Sequence, residues 1–197
     1  GVTFRGAVWF ATGTSVGREL CRTDGTAAGT GVVVDLVAGT SSSSPEVLAP
    51  IDDLRLYFSA TDASGREPWV TDGTVAGTYR LTDAEPGPIG SDPSEFTAAG
   101  DVVVFAAQTS AHGRELWRTD GFPAGTVLLA DIEAGTPSSE PSDFATFQRR
   151  AWFAARDAAS GRELWSSDGT QGGTQLFLDI DPGPVSSSPS DPVVTRT

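Results

Sequence analysis

The sequence predicts an all-β fold: four copies of a 48-residue unit, each a small antiparallel sheet, arranged as a four-bladed β-propeller. Three observations predict it. The tripeptide Gly-Arg-Glu starts at Gly17, Gly65, Gly113 and Gly161, each 48 residues after the last. Asp24, Asp72, Asp120 and Asp168 keep the same register, as do Gly39, Gly87, Gly135 and Gly183, and Pro45, Pro93, Pro141 and Pro189. Within each copy, short β-branched and aromatic runs are separated by tight Gly- and Asp-rich turns, with no room for helices. Self-similarity at this period, with four strands per unit, is the pattern of a propeller. The repeats fall at 1–48, 49–96, 97–144 and 145–192, and a single domain is expected over 1–197.

The third copy shows the elements in order. After a Pro-x-Glu step at Pro93–Glu95, Phe96–Ala99 predicts a short first strand. Gly100–Asp101 turns into Val102–Ala107, and Gln108–Gly113 turns into Arg114–Thr119. A third turn, Asp120–Gly125, leads to Thr126–Asp131. In the 48-residue register Trp9, Tyr57, Phe105 and Phe153 align, preceded by Val8, Leu56, Val104 and Trp152. Two adjacent apolar positions mean that strand two is covered on both faces, as in stacked blades. Strand four has its apolar register at Val33, Leu81, Leu129 and Phe177, the one-sided pattern of an outermost strand.

The chain ends predict how the ring closes. Ser190–Val194 matches the first strand at Ser94–Ala98, and Phe4–Thr12 matches strand two. The first copy is therefore expected to lack its own first strand and to pair with a closing strand at about 190–197, giving a closed monomer without open sheet edges. The alternative is half of a larger propeller completed by dimerisation.

Composition narrows the function classes. The 26 acidic and 13 basic residues give a net charge of −13. That argues against nucleic acid, whose phosphates need a basic surface, and against anionic membranes. No apolar run is long enough to span a bilayer, so membrane insertion is not expected. The chain has no Met and no basic stretch leading into an apolar run, so it reads as a processed product or an excised piece carrying no secretory signal. Cys21 is the single cysteine and has no partner for an internal disulfide.

The segments Gly113–Gly121 (GRELWRTDG) and Gly161–Thr170 (GRELWSSDGT) resemble the ELWxxDGT repeat family, and the resemblance spans essentially the whole chain. It implies a bacterial tandem-repeat protein, secreted or surface-attached, with a propeller-like fold and no shared activity to carry over. Three departures stand out: Cys21 in place of Trp, Pro68 in place of Leu, and Phe122–Pro123 in the third turn.

The repeated residues have structural and functional readings side by side. The Asp of each DG pair suits a turn in which its side chain accepts backbone amides and Gly supplies positive φ. Arg and Glu of the GRE step point to opposite faces and should reach different neighbours, including the next blade. Trp69, Trp117 and Trp165 suit packing between blades, with an aromatic platform for sugar as the alternative. The longest loops, from Asp35, Asp83, Asp131 and Asp179 to the following prolines, share a face with the strand two–three turns, the usual place for function. Those four aspartates, with Glu85, Asp92, Glu133, Glu140 and Asp181 nearby, could hold Ca²⁺, which prefers oxygen ligands, or simply cap the loops.

No catalytic motif is present. His112 stands alone in a variable turn and is expected to be solvated, and Cys21 has no histidine at a useful spacing. The expected function is therefore non-enzymatic: an interaction or scaffold propeller binding a protein, with a multivalent lectin-like glycan binder as the alternative. The loop segments Ser41–Ser44, Ile89–Asp92, Pro137–Glu140 and Val185–Ser188 differ among copies, which favours the scaffold reading over four equal sugar sites.

Overall fold

A computed structural model of the chain describes residues 1–194. Four antiparallel sheets of four strands each follow one another, and within each sheet the strands lie in chain order. The first holds β1 (Val2–Phe4), β2 (Ala7–Thr14), β3 (Gly17–Thr23) and β4 (Gly31–Val34). The second holds β5 (Glu46–Pro50), β6 (Leu56–Asp62), β7 (Gly65–Thr71) and β8 (Tyr79–Arg80). The third holds β9 (Ser94–Ala99), β10 (Val102–Thr109), β11 (Gly113–Thr119) and β12 (Val127–Ala130). The fourth holds β13 (Ser142–Phe147), β14 (Arg150–Asp157), β15 (Gly161–Ser167) and β16 (Gln175–Leu178). A 3₁₀ turn at Pro123–Gly125 is the only helical element among the described residues, and it sits where Pro replaces the usual turn residue. None of the described helices is long and apolar enough to cross a membrane.

The chain divides into two compact units, Gly1–Pro93 and Ser94–Thr197, each with two sheets. In the first unit Trp9 and Leu20 of the first sheet bury against Phe58, Ala60 and Trp69 of the second. In the second unit Val104, Leu116 and Leu129 bury against Ala151, Phe153 and Ala155. The two interfaces repeat one another: the same face of an earlier sheet meets the opposite face of the next.

Two expectations are corrected. The first sheet has its own first strand, because Arg5 and Gly6 both take positive φ and fold Val2–Phe4 back onto Ala7–Trp9. Such a two-residue turn matches the natural twist of paired strands. At the other end, residues 190–194 form no strand, and the remainder of the expected closing strand, 195–197, lies outside the described residues. The second correction concerns register. Phe105 faces Trp117 and Phe153 faces Trp165, but in the first two sheets Phe10 faces Cys21 and Phe58 faces Trp69. Strand two is thus displaced by one residue in those copies. The β2–β3 and β6–β7 turns have two residues, whereas the β10–β11 and β14–β15 turns have three. The lengths before strand two compensate, so the overall period hides the change. The counterpart of Trp9 is therefore Trp152: their indole nitrogens donate to the carbonyls of Phe4 and Phe147 at 3.0 and 3.1 Å.

Pro68 leaves a visible trace. Leu20, Leu116 and Leu164 each pair with the fourth strand across a bulge, at Val34, Ala130 and Leu178. Pro68 occupies that place in β7 and has no amide hydrogen to give the ladder, and β8 stops at two residues.

Candidate functional site

The loops that link one sheet to the next are built from the GRE step upward. Its glutamate is the centre. Glu19, Glu67, Glu115 and Glu163 are fully buried, and each carboxylate gathers the following link. Glu115 accepts the amides of Ile132 and Ser139 at 2.8 and 2.7 Å and the Ser139 hydroxyl at 2.6 Å. Glu67 accepts Ala84, Glu85 and Ser91 amides at 3.1, 3.3 and 3.0 Å and the Ser91 hydroxyl at 2.7 Å. Glu19 and Glu163 do the same with Leu36 and Ser43, and with Ile180 and Ser187. A buried carboxylate is tolerable because donors surround it. Burial still pushes the Glu67 and Glu115 carboxyls up, against the pull of their serine and amide donors. At Glu163 burial is outweighed by the Ser187 and Ile180 bonds, and its carboxyl is held down.

The glycine and arginine of the step serve the same loops. Gly113 has φ 68° and lies so close to the third link that a Cβ would sit 2.2 Å from the Pro137 carbonyl oxygen. The link therefore packs directly over the turn before strand three, on the face the sequence placed it. The arginine reaches not to a following sheet but back to the segment entering its own: Arg66 to the Ser44 carbonyl, Arg114 to the Ser94 hydroxyl, and Arg162 to the Glu140 carbonyl and Ser142 hydroxyl.

The TDGT turns are equally self-contained. Asp72 accepts the amide and hydroxyl of Thr74 at 2.9 and 2.8 Å, Thr74 accepts the Gly77 amide, and Thr71 and Thr78 share a hydroxyl bond at 2.7 Å. The hydroxyl and amide of its threonine hold each of Asp24, Asp72 and Asp168 below the usual carboxylate range.

The candidate ligands sit as follows. Asp35, Asp131 and Asp179 each cap their link by accepting the amide of Gly39, Gly135 and Gly183 at 3.2 to 3.3 Å. Asp83 instead lies 3.6 Å from Arg80. Among the described residues no three His, Cys, Asp or Glu side chains gather as a metal-ligand set. The second oxygens of Asp131 and Asp179 are buried without a partner, as is one of Glu133. Trp69 is 8% exposed in the core of the first unit, and Trp165 packs against the core of the second. The indole N–H groups of Trp69, Trp117 and Trp165 are buried without an acceptor. His112, expected to be solvated, bonds Asp131 at 3.0 Å, tying the β10–β11 turn to the link that follows β12. Its partner lies 19 residues away with no repeated pattern, so the sequence carried no signal for it. Cys21 is buried, and burial pushes its thiol up, with Glu19 adding to the effect.

Exposed, non-repeating chemistry lies at the link crests. Ile89 is 84% exposed and Val185 56%, at the position held by Ser41 and Pro137 in the other copies. The fourth sheet also keeps an apolar face, where Phe147, Trp152, Leu164, Val193 and Val194 line a cavity of about 480 Å³. No family model matches the sequence, and no curated protein matches it either.

Proposed function

We propose that the four sheets are the blades of a four-bladed propeller and that the protein is a non-enzymatic interaction scaffold. The resemblance of its repeats to the ELWxxDGT family supports a bacterial protein that is secreted or held at the cell surface. One observation carries the functional reading: the four GRE glutamates, three of the four GRE arginines and the Asp and Thr side chains of the TDGT turns are taken up in holding the chain's own links and turns, whereas the exposed crest residues differ. The link crests, at Ser41 and Ile89 in the first unit and at Pro137 and Val185 in the second, offer varied docking residues for a protein partner, carried on loops with the scaffold beneath. Catalysis finds no support. Cys21 is buried with its thiol pushed up, and His112 is bonded to a loop-capping aspartate.

A second reading has its own observation. The unpartnered oxygens of Asp131 and Glu133 in the third link, and of Asp179 in the fourth, are donors of the kind a hard cation takes, and Ca²⁺ held at either link would support a lectin-like site. A glycan-array screen run with Ca²⁺ and again with EDTA separates the two. The scaffold reading expects a blank array in both buffers and a protein partner captured by a photo-crosslinker at position 89. Specific glycan hits lost in EDTA would replace it with the cation-assisted lectin. Hits that survive EDTA would replace it with sugar binding at aromatic surfaces.

A further inference from the structure

In the first unit the second link is pinned along its backbone to β7. The Glu67 carboxylate takes the amides of Ala84, Glu85 and Ser91 and the Ser91 hydroxyl. The Ser91 and Asp92 amides also donate to the Arg66 carbonyl, at 2.9 and 3.0 Å, and Gly90 forms a parallel bridge with Arg66. The approach is so near that a Cβ at Gly90, which has φ 73°, would sit 2.1 Å from the Arg66 nitrogen. Pro86 and Pro88 fix two further φ angles.

Ile89 stands on that pinned backbone with its side chain in water. At 84% it is more exposed than any other large apolar residue among those described. The fold does not require an apolar side chain here, since Ser41 and Pro137 hold the same place in the first and third links. Isoleucine is branched at Cβ and has few rotamers to lose. A partner that covers it therefore immobilises little, because the backbone is fixed beforehand.

The charge around Ile89 faces outward with one sign. Segment 83–92 carries Asp83, Glu85 and Asp92 and no basic residue. At its foot Arg66 pairs with Glu46 at 3.0 Å and with Asp92 at 3.6 Å. The arginine side chain is 17% exposed, whereas Glu46 is 62% and Asp92 74% exposed. Arg80, the other arginine at this link, is taken up by Asp62 and Asp83. An approaching molecule meets carboxylates first. Charge of that sign beside an apolar anchor favours a basic partner and repels an acidic one.

Resting on the scaffold reading, we infer that the second link is the anchor of the docking surface and that its partner is a basic, aliphatic segment of another protein. Aliphatic side chains of the partner close over Ile89, and its arginines or lysines meet Glu46 and Asp92. Ile89 is then the desolvated centre that supplies affinity, and the carboxylates at its edge set the choice of partner.

Binding of the full chain to an array of random-sequence peptides, at low and at high salt, tests this. Bound peptides are expected to combine Arg or Lys with Leu, Ile or Val, and to bind severalfold more weakly at high salt. The strongest of them are then titrated in solution against variants. Ile89→Ser should weaken binding about tenfold, whereas Val75→Ser, at an exposed valine in the β7–β8 turn, should leave it unchanged. Both side chains lie in solvent, so neither change should disturb folding. Glu46→Gln with Asp92→Asn should remove most of the salt dependence. Binding that ignores Ile89→Ser would overturn the anchor, as would bound peptides that are acidic or that carry no aliphatic residue. No bound peptide would overturn the basic segment as partner. A blank glycan array beside that result would leave the scaffold reading standing, and glycan hits would remove both.

Discussion

At the residue scale the buried glutamate explains the GRE step better than an ion pair would. Among the described residues no cation pairs with the Glu115 carboxylate; backbone amides and a serine hydroxyl compensate its charge. Glu115→Gln turns one acceptor oxygen into a donor that faces the Ser139 amide at Oε1 or the Ile132 amide at Oε2. A cost of about 2 kcal/mol is expected, from one buried group left unpaired. Urea unfolding measures it, and a loss below about 0.5 kcal/mol would mean the clasp matters little. The glycine of the step makes a sharper contrast. Gly113→Ala puts a methyl group 2.2 Å from a backbone oxygen at φ 68°, so a loss of about 2 kcal/mol or more is expected. Gly13→Ala meets nothing within 4 Å and has ordinary φ, so it should be neutral or stabilising by about 0.5 kcal/mol.

Strand eight shows what one residue does to an element. Pro68 stands where leucines open the bulged pairing of the third and fourth strands, and β8 is the shortest strand in the four sheets. The amide of Leu81 still bonds the Pro68 carbonyl at 2.8 Å, so the strand is shortened, not lost. Pro68→Leu restores a donor, and β8 should lengthen to match β12 and β16. Native-state hydrogen exchange would show it as slower exchange around Arg80–Thr82. Unchanged protection there would mean that another feature of the link, such as the Arg80 pairs with Asp62 and Asp83, sets the strand's end.

At the scale of the whole molecule, pH acts in two directions. The Glu67 and Glu115 carboxyls are raised above their ordinary value of 4.5, so the folded state holds those protons more tightly than the unfolded chain. Their contribution is most favourable below that value and is lost as pH rises through the folded pKa. Asp72 and Asp168 are lowered from 3.8, so their turns favour the fold above that value and lose the benefit as pH falls. The net charge of −13 also repels itself more strongly as the acids ionise. The melting temperature is therefore expected to be higher near pH 5 than near pH 8. Glu115→Gln should flatten that slope. A melting temperature still climbing toward pH 8 would show that neither the buried glutamates nor the net charge governs stability.

Four repeats and the four-strand pattern of the third copy with its turns were legible in the sequence, because strand and turn propensities are local and a repeat states them four times, whereas β1 and its Arg5–Gly6 turn were not expected. In the third copy the expected turn at Gly100–Asp101 and strand at Arg114–Thr119 fall within a residue of β9–β11. The roles of Asp72 and Gly73 follow from turn chemistry alone. What needed tertiary structure was any contact set by distance along the chain. A constant spacing hid the displaced second strand, since a shortened turn and a lengthened lead-in cancel in the count. In the sequence, Arg and Glu of the GRE step fall on opposite faces and point to different neighbours, the next blade among them, but neither partner has a letter to name it. Only the folded links show that the glutamate is closed off by backbone amides 17 to 24 residues ahead. The arginine turns the other way, to acceptors 20 to 22 residues behind. Backbone donors and carbonyls have no letter in a sequence, so the partners that decide these side chains become visible only when the loops are in place.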